Sequence, residues 1–282
     1  MRKFLLTAFA LLFIWTTLAQ CFIMRNRMND GKAKRIFEHK NIQISIQDTI
    51  IRARHMHYAI TGDENLPTLV FIHGSPGSWM NYMKFMYDTS LRRQYRMMAI
   101  DRPGFGYSNF GQALSLQEQC DLILPVLKAQ KGKQPMILFG HSMGGPVVSK
   151  LAAMDSFLFE KIYLVAAALD PQLEKKETWR WIMKDKPLYW LLPGAFGPSN
   201  TELLYLKKDL YPLQNDLPKI TCPVHFIHGD QDSWVPIENV AYGYQHMNRA
   251  RSLQSDTIQN GDHQLPWKNF EALKNILLSS KF

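Results

Sequence analysis

Cysteine is scarce in this sequence: Cys21, Cys120 and Cys222 are the only three among 282 residues. Three cysteines cannot build a disulfide framework, and no two of them have the short spacing of a zinc site or a thiol redox motif. The sequence therefore excludes a disulfide-stapled scaffold and a cysteine-based metal centre. The cysteines say little about the compartment.

The chain also lacks repeats and compositional bias. Hydrophobic residues make up 46% and charged residues 20%, and the 16 glycines and 15 prolines are spread along the chain. Such a composition excludes a disordered chain, a collagen-like fibre and a long coiled coil. The length suits one large α/β domain or two small domains.

Positive charge is unevenly distributed. The formal net charge is +9, of which residues 1–40 contribute +6 from eight basic and two acidic side chains, so the other 242 residues carry only +3. Because most of the chain is nearly neutral, we predict no nucleic-acid partner. The basic stretch adjoins an apolar segment and suits anionic lipid better.

That apolar segment spans residues 4–24, with basic residues on both sides. As a helix of 21 residues, at about 1.5 Å per residue, it would just cross a hydrocarbon layer of roughly 30 Å. This length favours a membrane anchor over residues 1–24. A cleaved signal peptide ending near Ala19 and a lipoprotein signal at Cys21 are the alternatives, although Gln20 fits the second poorly. A buried core helix is disfavoured because no polar residue interrupts the run.

We therefore expect a protein that is membrane-associated or exported, with a basic linker over residues 25–40. The side of the membrane stays open. Five basic residues between Arg25 and Arg35 would keep the following domain in the cytoplasm by the positive-inside rule, whereas a cleaved signal would export it.

Residues 41–282 predict a single domain of the α/β class. Residues 41–46 and 54–60 indicate an antiparallel hairpin at a sheet edge. Four later segments are apolar on both faces, as in the covered centre of a parallel sheet: residues 68–72, 96–100, 136–139 and 162–166. Two more strands, at residues 224–227 and 253–258, and amphipathic segments at 114–130 and 270–278 complete a doubly wound, mostly parallel sheet of eight strands.

Polar turns that contain glycine follow four of these strands. They begin at His73, Asp101, Gly140 and His228. Open α/β sheets bind their ligands at the carboxyl ends of the strands. The four turns therefore predict where the functional site lies.

The turn Gly-His-Ser-Met-Gly at residues 140–144 carries the strongest chemical signal. It follows an apolar strand and precedes a predicted helix with Pro146 near its first turn. The flanking glycines permit a tight strand-to-helix turn that lifts a serine hydroxyl above the sheet. Serine is a weak nucleophile, so Ser142 would need an imidazole to take its proton and a carboxylate to orient that imidazole.

In combination, these motifs resemble the α/β-hydrolase superfamily from about residue 54 to the end of the chain. The matching features are the His-Gly turn at 73–74, Asp-Arg-Pro-Gly-Phe-Gly-Tyr-Ser at 101–108, the serine turn, His-Gly-Asp-x-Asp at 228–232 and the late His263. The resemblance is to single-domain serine esterases with a short helical lid. It implies that Ser142 is the nucleophile, His263 the general base and Asp232 the acid, in the family's chain order.

The same resemblance leaves one alternative and adds further roles. Asp170 ends the predicted sixth strand, where some members carry the acid. The oxyanion hole is expected on the backbone N–H groups of Ser75 and Met143. Asp101 and Arg102 are expected to stabilise the neighbouring loop. No residues have the spacing of a metal site, and no cofactor is implied.

Residues 171–218 are predicted to be a cap inserted into the domain. The segment is rich in aromatic residues, among them Trp179, Trp181, Tyr189, Trp190 and Phe196. An apolar cap would exclude water from the site and suit a small-molecule substrate with an apolar acyl or alcohol group. Aromatic residues that simply anchor short helices to the body are the alternative.

The sequence thus predicts a cofactor-independent serine hydrolase that cleaves a carboxylic ester or related acyl bond through an acyl-enzyme. Serine at the turn argues against an epoxide hydrolase or dehalogenase, which would need an acidic nucleophile there. Amide, thioester, lactone and carbon–carbon bond cleavage and perhydrolysis stay open because they use the same three residues. The rival hypothesis is a non-catalytic hydrolase-fold protein that binds a ligand or partner at the membrane.

Overall fold

The computed structural model describes residues 2–19, 25, 27–175 and 177–280. The strands are β1 Ile44–Ile51, β2 Arg54–Thr61, β3 Thr68–Ile72, β4 Arg96–Ile100, β5 Met136–His141, β6 Lys161–Val165, β7 Val224–Gly229 and β8 Leu253–Ile258. Across these described ranges they form one eight-stranded sheet in the order β1-β2-β4-β3-β5-β6-β7-β8. The β1–β2 and β2–β4 pairs are antiparallel and the other pairs are parallel. The predicted α/β sheet is confirmed.

The connections between strands are largely helical. The α-helices are α1 Arg2–Ala19, α2 Asp30–Glu38, α3 Met83–Tyr87, α4 Thr89–Arg92, α5 Leu116–Gln130, α6 Gly144–Met154, α7 Thr178–Ile182, α8 Phe196–Gln214, α9 Glu238–His246, α10 Leu265–Lys268 and α11 Phe270–Leu278. Short 3₁₀ helices occupy Trp79–Tyr82, Leu188–Leu191 and Leu217–Lys219. The predicted amphipathic segments 114–130 and 270–278 correspond to α5 and α11.

The central strands are buried on both faces, as their composition predicts. Every residue of β3 and β5 is buried. Val70 and Ile72 pack into one core cluster together with Val147 of α6, while Leu69 and Phe71 point into a second cluster on the other face. Successive side chains of a strand point to opposite faces, so helices cover both sides of the sheet.

The edge hairpin differs in its bounds from the prediction. β1 covers Ile44–Ile51, later than the predicted residues 41–46. Two residues connect β1 to its partner β2: Arg52, with φ 47°, and Ala53, with φ 63°. A two-residue type I′ turn needs positive φ at both positions, a conformation that normally favours asparagine or glycine. The sequence therefore carries no recognisable signal for this turn, and the end of the strand was misplaced.

Residues 171–218, which we call the cap, lie between β6 and β7. They contain α7, α8 and the 3₁₀ helices Leu188–Leu191 and Leu217–Lys219. The second half of α8 is anchored in the core through Leu206, Leu210 and Leu213. No residue of α7 is buried. The cap therefore has one half fixed to the domain and one half on its surface.

Both helices of the N-terminal segment contact the domain. In α2, Ala33 and Phe37 are fully buried, so part of the predicted basic linker lies on the body of the protein. Trp15 of α1 donates its Nε1–H to the carbonyl of Leu191 in the cap, at 3.1 Å. The predicted span of residues 4–24 continues into residues 20–24, which lie outside the described residues.

None of the described helices has both the length and the apolar character needed to cross a bilayer. The anchor or signal segment over residues 1–24 stays a prediction.

Candidate active site

The turn that carries Ser142 is as tight as the glycine pattern predicts. Ser142 follows β5 with φ 54° and leads directly into α6. A Cβ built on Gly140 would lie 2.3 Å from the Gly144 carbonyl oxygen, and one built on Gly144 would lie 2.2 Å from the Ile72 carbonyl oxygen. No side chain fits at either position. The two glycines thus let the backbone bend sharply enough to present the Ser142 hydroxyl at the carboxyl edge of the sheet.

The structure brings together the three side chains singled out in the sequence. His263 lies on the loop between β8 and α10, and its Nε2 is 2.9 Å from Ser142 Oγ. Its Nδ1 is 2.7 Å from Asp232 Oδ2. An ionised carboxylate can only accept, so the network places the proton on Nδ1 and leaves Nε2 to accept from the serine hydroxyl.

The contacts of Asp232 keep its carboxylate ionised, as the network with His263 requires. Its side chain is fully buried, and Oδ1 accepts from the N–H groups of Trp234 and Val235, both at 2.9 Å. Burial acts to raise the pKa of Asp232, but interactions with His228 and His263 outweigh it and hold that pKa well below its usual range. The carboxylate therefore stays ionised at neutral pH and can stabilise a positive charge on His263.

The alternative acid, Asp170, takes part in a different set of contacts. Its carboxylate accepts from the N–H of Gln172 at 2.7 Å, and its own N–H donates to Asn239 at 2.8 Å. These hydrogen bonds stabilise the turn between β6 and the cap. Because His263 bonds to Asp232, the geometry favours Asp232 over Asp170 as its carboxylate partner.

Two histidines near the site hold positions that sequence patterns do not reveal. His141 is buried, and burial lowers the pKa of its ring to about 3. Being neutral, it donates from Nε2 to the carbonyl of His263 at 2.8 Å. His228 of β7 bonds through Nε2 to the Val235 carbonyl at 2.9 Å, and the same atom lies 3.5 Å from Asp232 Oδ2. Both rings thus stabilise the loops on which His263 and Asp232 lie.

The two backbone donors expected to form the oxyanion hole flank Ser142. Met143 follows it in sequence, and Ser75 belongs to the turn after β3. A Cβ built on Gly74 would lie 3.0 Å from Ser142 Cβ, so that turn passes directly beside Ser142. Within the described part of the chain, neither the Ser75 nor the Met143 N–H donates to another group. Both are therefore free to bind an oxyanion.

A buried ion pair connects this turn to the cap. Arg102 bonds to both carboxylate oxygens of Glu202, in α8, with Nη2 at 2.9 Å from Oε2. The same guanidinium donates to the carbonyls of His73 and Gly74, at 2.8 and 2.9 Å. Both charged side chains are buried. Arg102 thus stabilises the turn after β3, as expected, but its partner Glu202 was not predicted, because one acidic residue in a mixed-charge helix carries no signal.

Replacement of Glu202 by alanine should lower the free energy of unfolding by about 3–5 kcal/mol, because it leaves the buried Arg102 charge without its carboxylate. Urea denaturation of the full-length protein measures the change. Glu160→Ala is the matched control. It removes an exposed pair with Arg251 at 3.3 Å and should cost about 1 kcal/mol or less. If the two variants lost the same free energy of unfolding, the structural role of the buried pair would be contradicted.

The described residues also contain no group of three histidine, cysteine, aspartate or glutamate side chains that could hold a metal ion. His225 illustrates the point, since its Nε2 bonds to Asp256 at 2.7 Å and no other such residue completes the set.

A serine on a tight strand-to-helix turn of a mostly parallel sheet, with its imidazole and acid on later loops, is typical of hydrolases with an α/β fold. Comparison with known proteins agrees. The model of the family described as "alpha/beta hydrolase fold" matches residues 67–193. A pimeloyl-[acyl-carrier protein] methyl ester esterase of Nitrosomonas europaea is 24% identical over 237 residues, which cover 70% of this chain and 88% of that protein.

Solved structures show the same fold. A bacterial membrane phospholipase A superposes with a TM-score of 0.60 at 19% identity, covering 99% of this chain and 100% of that one. A bromoperoxidase of Bacillus anthracis gives a TM-score of 0.64 at 21% identity, covering 84% of this chain and 100% of that one. The chain has the fold of the α/β hydrolases, and its residues 67–193 match the model of that family.

Proposed function

We propose that this protein is a serine hydrolase that cleaves a carboxylic ester or related acyl bond through an acyl-enzyme. Ser142 is the nucleophile, His263 the general base and Asp232 the acid in this proposal. The observation that carries it is the position of His263, 2.9 Å from the Ser142 hydroxyl and 2.7 Å from the Asp232 carboxylate.

The contacts support a two-stage reaction. Ser142 Oγ attacks the acyl carbon while its proton passes to His263 Nε2, and Asp232 stabilises the imidazolium that forms. The N–H groups of Ser75 and Met143 bind the oxyanion of the tetrahedral intermediate. When that intermediate collapses, the bond to the leaving group breaks and His263 protonates the departing alcohol. Water, deprotonated by the same imidazole, then attacks the acyl-serine and releases the acid.

An ester is favoured among the bonds that this chemistry can cleave. The Nitrosomonas relative is named as a methyl ester esterase, and its similarity extends over most of both chains. The contacts of His263 with Ser142 and with the ionised Asp232 suffice to activate the serine, which supports a reaction without cofactor. A small apolar acyl substrate fits the apolar composition of the cap.

The experiment that tests the proposal is to trap the acyl-enzyme. The full-length protein is mixed with a nitrophenyl ester of a short fatty acid, quenched in acid after a few milliseconds and digested for mass spectrometry. We expect a burst of nitrophenolate and one acyl group on the peptide that contains Ser142. An acyl group on another residue, or binding of the ester without turnover, would overturn the proposal and favour the non-catalytic alternative.

We further propose that residues 1–24 associate the protein with a membrane, as an anchor or as an export signal. Support comes from α1, which exposes a series of large apolar side chains: Phe4, Leu6, Phe9, Leu11, Leu12, Phe13, Ile14, Trp15 and Leu18. So much contiguous apolar surface on a helix marks a contact with lipid or protein. The flanking basic residues suit anionic headgroups.

A further inference from the structure

The surface half of the cap presents a row of exposed tryptophans. Trp179 and Trp181 lie on α7 and Trp190 on the 3₁₀ helix Leu188–Leu191, with 45%, 46% and 48% of their surfaces exposed. We call these three side chains the tryptophan face. Because neither helix contains a buried residue, these aromatics do not anchor the cap in the core. The anchoring alternative left open by the sequence therefore does not account for them.

Each of the three indoles lies beside a basic side chain. Arg180 lies over Trp179 at 4.6 Å, Lys184 over Trp181 at 5.5 Å and Lys186 over Trp190 at 5.3 Å from the ring centroid. Tryptophan prefers the boundary between hydrocarbon and water, and the side chains of Lys184 and Lys186 can extend from there to lipid phosphates, whereas Arg180 is paired with Glu177. This combination matches a lipid headgroup layer.

The tryptophan face adjoins the apolar helix α1. The link is the hydrogen bond from Trp15 to the Leu191 carbonyl, one residue beyond Trp190. The α1 helix and its flanking residues belong to the stretch 1–40, whose net charge is +6. The two surfaces therefore form a continuous apolar area bordered by positive charge, which is complementary to an anionic membrane surface.

The start of α8 connects the tryptophan face to the active site. Asn200 donates from Nδ2 to the carbonyl of Arg180 on α7, at 3.1 Å. Its neighbour Ser199 accepts from the hydroxyl of Ser75, at 3.0 Å. Consecutive residues of α8 thus contact the tryptophan face on one side and the turn beside Ser142 on the other.

We propose that the tryptophan face, together with α1, seats the protein on an anionic lipid surface, and that its substrate is an acyl ester drawn from that surface. The substrate half of this statement rests on the proposed function. The lipid-binding half does not, because it follows from the exposed tryptophans, their cations and the contact with α1.

The test uses the full-length protein and two kinds of vesicle, phosphatidylcholine alone and phosphatidylcholine with phosphatidylglycerol. The triple variant Trp179→Ala/Trp181→Ala/Trp190→Ala should bind the anionic vesicles about tenfold more weakly in flotation. Its rate on a fluorogenic ester embedded in those vesicles, divided by its rate on a soluble ester, should fall by a similar factor. Phe157→Ala is the matched control. Phe157 is 97% exposed and lies in the loop before β6, at the amino ends of the strands, whereas the cap follows the carboxyl end of β6.

A second variant tests the charge without removing the aromatics. Lys184→Glu/Lys186→Glu should lose about tenfold of the preference for anionic over neutral vesicles. Unchanged vesicle binding in both variants would overturn the proposal, as would a triple variant that loses only self-association in gel filtration. If the unaltered protein binds vesicles but hydrolyses neither ester, the proposed function fails while lipid binding by the tryptophan face stands.

Discussion

Alanine at position 142 should abolish labelling by a fluorophosphonate and lower kcat/KM on a soluble ester by about 10⁴-fold or more. The reason is that the Ser142 hydroxyl, 2.9 Å from His263 Nε2, is the atom that we propose forms the acyl-enzyme. Removal of the nucleophile from such a trio leaves only the modest acceleration due to binding and the oxyanion donors. In-gel fluorescence measures the labelling, and steady-state hydrolysis measures the rate.

Ser255→Ala is the control for this prediction, because Ser255 is an exposed residue of β8. It should label and hydrolyse as the unaltered protein does. Unfolding of both variants in urea should be similar, which separates a chemical effect from a structural one. Labelling that persists in Ser142→Ala would mean that another residue reacts, and the assignment of the nucleophile would be wrong.

Replacement of Asp232 by asparagine should lower kcat by about 10⁴-fold with little change in KM. An amide can turn its NH₂ group toward His263 Nδ1, which then has to accept. The ring proton moves to Nε2, and the imidazole can no longer take the proton of Ser142. A charge that stabilises the imidazolium is lost at the same time. The loss should appear in single-turnover rates, where substrate binding and product release do not contribute.

Asp170→Asn is the matched control, since it makes the same chemical change at the alternative acid. The Asp170 carboxylate accepts from the Gln172 N–H, so Asp170→Asn should keep its catalytic rate and lose at most this contact in the turn. If Asp170→Asn lost activity and Asp232→Asn kept it, the acid would be misassigned despite the 2.7 Å contact with His263.

The sheet was predictable where burial is complete. The strands β3 and β4 have the bounds expected from their apolar composition, because both faces are covered and turns limit each end. The end of β1 was wrongly predicted because Arg52 and Ala53 adopt positive φ, and neither is a glycine or asparagine that would indicate such a turn. Local patterns thus predict buried strands well, and they fail at exposed turns whose conformation is imposed by strand pairing.

The candidate site divides in the same way. Ser142 was found from its own neighbours, since glycines and an apolar strand lie next to it in the chain. His263 and Asp232 came from the resemblance to a family, because no local pattern specifies which histidine folds back over a serine. The ion pair between Arg102 and Glu202 was missed for a similar reason: it joins residues far apart in sequence whose own segments are unremarkable.

The cap was predicted to be helical and apolar, but its two halves have different surroundings. The buried leucines of α8 could be expected from an amphipathic pattern. The short length of α7 offers no such pattern, so only the folded chain reveals that its tryptophans are exposed.

The salt bridge between α8 and the turn after β3 limits how the enzyme can open. Lifting α8 would leave two charges unpaired in a medium of low polarity. It would also displace the Gly74 carbonyl and the neighbouring N–H of Ser75, which we propose as an oxyanion donor. Entry and exit of ligands then fall to the segment around α7, which contains no buried residue and is joined to α8 by the bond from Asn200 to the Arg180 carbonyl. Loop grafts confined to that segment should therefore change which molecules are admitted while leaving the reaction centre intact.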